Sequence, residues 1–154
     1  MRARASSLTL LGFDYGTRRT GIAVGQTITG TATPLYSLQW HDCEPNWQAI
    51  QTLISTWQPQ ALVVGLPHTQ NRQATAMETL IKRFCETLRQ KFGLPVYTCD
   101  ESYTSTDAYH RLKTLRQAGH AKKIVKGDID AMAAAIVLES WIAAYSRVSC
   151  GKEQ

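Results

Sequence analysis

Carboxylates placed at the ends of apolar runs are the residues of this chain best suited to chemistry. Asp14 closes the run Leu8 to Asp14 and is followed by Tyr15-Gly16-Thr17. Glu101, with Asp100 beside it, follows the run Pro95 to Cys99, and Asp130, with Asp128 two positions before it, opens an apolar stretch near the C-terminus. Carboxylates brought together repel one another unless a cation sits between them. An oxygen-only set without His or Cys selects Mg²⁺ or Mn²⁺. Two such ions, about 3.5–4 Å apart, can activate a water and stabilise the leaving oxygen of a phosphodiester. Taken singly, each acid has a plainer explanation. Asp14 suits a strand-end turn, Asp128 or Asp130 suits a helix N-terminus, and Glu101 suits a solvated loop. Convergence from three separate elements is what the chemistry requires.

The elements that would bring them together can be read from periodicity. Residues 8–14, 20–25 and 32–38 read as three strands joined by short turns, an antiparallel meander. Trp47, Ile50, Ile54 and Trp57 recur at helical spacing up to Pro59. Ala61 to Leu66 is a continuous apolar run of buried-strand character. A helix follows, with Met77, Leu80, Ile81, Phe84, Cys85 and Leu88 on one face, and Gly93 ends it. Residues 95–99 form a fifth strand. Thr106 is suited to cap a helix carrying Ala108, Tyr109, Leu112 and Leu115. Residues 116–127 read as a mobile basic loop. Asp128 or Ile129 then opens a last helix, with Met132, Ala133, Ile136, Val137 and Trp141 on one face and a frayed end from about Arg147. Trp47, Trp57 and Trp141 read as core. This order predicts an α/β fold: a five-stranded mixed sheet, a meander plus parallel strands, with helices on both faces. If the first, fourth and fifth strands are parallel neighbours, Asp14 and Glu101 leave the sheet at one rim. The last helix can then bring Asp130 there.

Length and composition fit one soluble domain over 1–154, with a core at about 8–145 and no internal repeat. The chain has 17 Lys and Arg against 12 Asp and Glu, a formal charge of +5 that suits a polyanionic partner. Cys43, Cys85, Cys99 and Cys150 form no C-x-x-C pair, which argues against zinc and suits a reducing compartment. Cys85 and Cys99 read as core, Cys43 and Cys150 as loop and tail. The basic N-terminus precedes an apolar run too short for a signal peptide, and no stretch is long enough to span a membrane. A cytoplasmic location is expected.

Four segments carry a family resemblance. Asp14-Tyr15-Gly16-Thr17-Arg18-Arg19-Thr20-Gly21-Ile22-Ala23-Val24 matches the opening pattern of the YqgF/RuvX family, and Val63-Val64-Gly65-Leu66-Pro67 its second. Asp100-Glu101-Ser102-Tyr103-Thr104-Ser105 resembles the third segment, and Lys126 to Leu138 (KGDIDAMAAAIVL) the fourth. In order and at family spacing, they extend the resemblance over about residues 8–145. It implies an RNase H-like fold related to the RuvC resolvases. It also implies a bacterial, cytoplasmic, phosphodiester-cleaving hydrolase that trims the 5′ end of pre-16S rRNA in ribosome biogenesis, or resolves Holliday junctions. By motif position, Asp14, Glu101 and Asp130 would be its catalytic acids and magnesium or manganese ligands, with Asp100 and Asp128 as further candidate ligands. Two segments depart from the pattern. His68-Thr69-Gln70-Asn71-Arg72 replaces the usual L-N-M-D-G, and Ser102 stands where the family usually has Arg, so the fixed cation beside Glu101 is missing.

Arg18 and Arg19 fall near the expected rim and are candidates for phosphate contact. Arg111, Lys113, Arg116, Lys122, Lys123 and Lys126 form a basic segment that could close on a nucleic-acid backbone. Tyr15 and Tyr103 could stack on an unpaired base, but core-edge packing is the more ordinary role of such tyrosines. The expected partners are an rRNA precursor or branched DNA, and ribosomal particles. The chain is expected to be a monomer or weak dimer. The competing expectation is a non-catalytic nucleic-acid-binding or ribosome-assembly factor of the same fold. A phosphotransfer domain ranks third: Asp14-Tyr15-Gly16-Thr17 resembles the phosphate turn of actin-like ATPases, but the sequence has no second such turn and no Walker-type loop.

Overall fold

The computed structural model describes residues 7–42, 44–67, 72–101, 114 and 126–152. The three N-terminal apolar runs form β1 (Thr9–Asp14), β2 (Arg19–Gln26) and β3 (Thr31–Gln39), paired antiparallel in sequence. β4 (Ala61–Pro67) pairs parallel to β1, and β5 (Val96–Glu101) parallel to β4. The strand order is therefore β3-β2-β1-β4-β5. The interior residues of β1 are all buried, as its unbroken apolar run requires of a strand covered on both faces.

Three helices are described: α1 (Trp47–Trp57), α2 (Arg72–Phe92) and α3 (Lys126–Lys152). The Asn46 side chain caps α1 by accepting the Ala49 N–H at 3.1 Å. Strand alternation divides the apolar residues between two layers. On one face Leu11, Phe13, Ile22, Leu62 and Val64 pack with Ile50 and Leu53 of α1 and Ile81, Phe84 and Leu88 of α2. On the other, Leu10, Ala23 and Val63 pack under Ala134, Ala135, Leu138 and Ile142 of α3. Small residues on both sides let α3 lie close to the sheet. A Cβ at Gly12 would fall 2.5 Å from Leu138 Cγ.

The mixed sheet, its meander and its two helical layers agree with the sequence reading. Four details differ. α2 begins at Arg72, ahead of its apolar face. α3 begins at Lys126, so Lys126 and Gly127 belong to a helix rather than to the expected loop. Glycine is tolerated there because first-turn N–H groups have no intrahelical partner to lose. α3 also continues to Lys152, past the expected fraying at Arg147, and takes Cys150 into the helix. Finally, Trp57 is 37% exposed at the end of α1, not core. Cys85 is buried as expected, and burial pushes its thiol pKa up, so it behaves as an apolar side chain. Cys99 is half-buried against the α3 layer. Among the described residues, no helix is long and apolar enough to cross a membrane.

Candidate active site at the sheet rim

The site follows from one row of the sheet. Ser37 pairs with Gly21, Gly21 with Asp14, Asp14 with Gly65, and Gly65 with Cys99. Residues paired across strands share a face, and this row, which includes Asp14, faces α3. Both neighbours of Asp14 in the row are glycines, so neither paired residue contributes a side chain there. The glycine on β2 has a second consequence. A Cβ on Gly21 would overlap the backbone carbonyl of Asp130, so the first turns of α3 rest directly on β2. The missing side chain is what brings Asp130 beside Asp14.

The two acids line one cleft of about 360 Å³, together with Tyr15, Thr17, Arg18 and Arg19 from the turn after β1. That turn is pinned. Buried Thr20 accepts the Gly16 N–H at 3.2 Å through its hydroxyl, and the Arg18 carbonyl accepts the Trp40 N–H at 2.8 Å. Arg19 thereby reaches Asp130: its Nε donates to Oδ2 at 2.5 Å. The Ser37 hydroxyl approaches the same oxygen at 3.4 Å. The two side chains of the ion pair are 26% and 22% exposed, so solvent and solutes can reach it.

Glu101 ends β5 opposite Pro67, two positions beyond the row that contains Asp14. With adjacent strands about 4.8 Å apart, its backbone lies roughly 10 Å across the sheet from β1, at the same carboxyl rim. Asp128 lies in the first turn of α3, with Asp130 half a turn on. Lys126 opens the same helix. Arg111, Lys113, Arg116, Lys122 and Lys123 lie outside the described residues, as do Ser102, Tyr103 and residues 68–71. Tyr15 packs at the core edge, its ring 5.0 Å from that of Phe84. The sequence reading did not single out Ser37. A lone serine in a strand gives no local signal, and only the register of the meander places it over Asp130.

The donor chemistry of this cleft fits a hard divalent cation. Its described lining offers carboxylate, hydroxyl and backbone oxygens but no His or Cys. Arg18, exposed on the same turn, supplies a positive charge at the mouth.

Comparison with known proteins agrees with this fold. The RuvX family model, described as Holliday junction resolvase, matches residues 8–144. The chain is 44% identical over 133 residues to a Shewanella oneidensis protein named "Putative pre-16S rRNA nuclease", covering 86% of this chain and 92% of the relative. A Vibrio vulnificus protein of the same name is 42% identical over 141 residues, covering 90% and 97%. Among solved structures, Thermus thermophilus RuvC superposes with a TM-score of 0.56 at 14% identity, covering 90% of this chain and 96% of that one. T. thermophilus RuvC in complex with Holliday junction substrate gives 0.58 at 15% identity, with the same coverage. The fold is thus the RuvC-like, RNase H-like resolvase fold.

Proposed function

Because this chain belongs to the RuvX family, we propose that it is a metal-dependent endonuclease acting on structured nucleic acid, with the 5′ end of pre-16S rRNA as its favoured substrate. One observation carries the reading: Asp14 and Asp130, 116 positions apart in sequence, line a single cleft at the carboxyl rim of the sheet. Asp14 and Asp130, joined by Glu101 from the end of β5, would hold Mg²⁺ or Mn²⁺. Such an ion supplies a more acidic bound water and neutralises charge on the phosphate. The chain's own residues do the positioning. Gly21, beside Asp14, lets the backbone of Asp130 rest on β2 and so brings the two carboxylates to one cleft. The pinned turn holds Arg18 at the mouth, where its guanidinium can pair with a backbone phosphate. The Ser37 hydroxyl would orient the Asp130 carboxylate, and Arg19 would balance its charge until a metal ion enters.

A second reading, a strand-binding assembly factor without catalysis, is favoured by the same ion pair. A carboxylate held by a guanidinium can be purely structural. One assay separates the two. The purified protein is incubated with precursor rRNA and with four-way junctions, in Mg²⁺, Mn²⁺ or EDTA. Metal-dependent cleavage that falls at least a hundredfold in a folded Asp14→Asn variant is the expected result. Salt-sensitive binding with no cleavage under any metal establishes the assembly-factor reading instead.

A further inference from the structure

A second cleft, of about 270 Å³, opens between α1 and α2 next to the carboxylate cleft. Tyr15 lines both, so the two share a wall. Buried Phe84 is common to its aromatic lining: the Tyr15 ring lies 5.0 Å away, and the Trp47 ring lies 5.5 Å away at 28°. Glu44 and Arg83, both exposed, are its charged lining residues. Lys91 Nζ sits 5.4 Å from the centre of the Trp47 ring, adding a second cation beyond Arg83. The spacing along α2 relates the two clefts. Met77 borders the first and Phe84 the second, so they are about 10 Å apart along the helix axis, within reach of one or two nucleotides.

We propose that this second cleft is a subsite for one unpaired nucleobase of the substrate strand, beside the phosphate held at the carboxylate rim. The proposal rests on the nuclease reading for the identity of that phosphate. Aromatic rings accept any base through its π-face. Arg83 and Glu44 offer a donor and an acceptor to the base edge, and Arg83 and Lys91 give the flanking phosphates positive charge. A base can lie against Tyr15 or Trp47 only after leaving its own stack, because its π-face must be free to meet theirs. The strand is therefore single-stranded, or locally opened, at this position.

Trp47 provides the probe, because a base seated against it quenches its fluorescence. The intact protein, in EDTA so that nothing is cleaved, is titrated with a short single-stranded RNA of mixed sequence. Parallel titrations use its DNA counterpart, the same strand in a duplex, and an abasic ribose-phosphate strand. Quenching by the single strands, of RNA or DNA alike, and its loss in Trp47→Phe are expected. The abasic strand should bind at least about fivefold more weakly, the lower end of the cost of removing one stacked base. Quenching that survives Trp47→Phe, or equal quenching by duplex and single strand, overturns the proposal. Should that variant not fold, the abasic comparison on the unaltered protein decides, and equal affinity overturns the proposal. Cleavage with Mg²⁺ is followed in parallel. Cleavage without Trp47-dependent quenching removes the subsite and leaves the nuclease reading intact. Quenching without cleavage under any metal retains a base-binding cleft and removes the nuclease reading.

Discussion

At the scale of single residues, the proposed chemistry turns on Asp130 and on its ion pair with Arg19. On that reading, a divalent ion entering the cleft would need the carboxylate oxygen that Arg19 Nε holds at 2.5 Å. The guanidinium and the metal would then compete for one acceptor. The pair is partly solvated, so its net worth is about 1 kcal/mol at most. Arg19→Gln removes the competing charge while keeping a side chain of similar reach. Mn²⁺ titration of the variant, without nucleic acid, should show affinity raised by about fivefold, with little change in thermal stability. Unchanged or weaker affinity would mean that Arg19 orients the carboxylate for the metal rather than competing with it. Little of this was legible in sequence. Arg19 is one of two adjacent arginines and reads as a phosphate ligand. Its contact with a residue 111 positions away exists only because the turn after β1 is pinned by Thr20 and Trp40.

At the scale of elements, the site depends on how closely α3 lies on β2. The backbone carbonyl of Asp130 occupies the space a Cβ would fill at Gly21. A carbonyl within a helix cannot yield as a side-chain tip can, so Gly21→Ala must lift the start of α3. Overpacking of this kind costs about 1–3 kcal/mol. Here it also carries Asp130 away from Asp14. The expected outcome is a lower denaturation midpoint together with metal affinity reduced tenfold or more. A variant that loses stability but binds Mn²⁺ normally would detach Gly21 from the site. Elements of this kind were readable where hydrophobic period speaks: the meander, the two parallel strands and the apolar faces of α2 and α3. They were unreadable where it is silent. Residues 72–76 open α2 with no apolar stripe, and Gly127 reads as a breaker although it lies in the first turn of α3. Gly21 itself is visible in the motif, but a strand glycine says only that something approaches, not what.

At the scale of the whole molecule, α3 packs across one face of the sheet and touches all five strands. Leu10, Ala23 and Val63, contributed by three strands, are buried in the layer it closes. A chain ending at residue 125 would expose them together and would lack Asp130. Such a chain is expected to bind a hydrophobic dye and to melt without a cooperative transition, as loss of one face of a two-layer core implies. A sharp thermal transition in the truncated chain would show instead that the sheet and the α1–α2 layer fold on their own. Asp14 and Asp130 thus belong to distant parts of the chain, which is why no local window could reveal that they line one cleft. The order in which a ribosome makes this protein gives that arrangement a further meaning. Asp14 emerges well before Asp130, and the cleft the two line is complete only once the closing helix has been synthesised and has docked, so on the proposed reading a half-made copy could not act on the RNA around it.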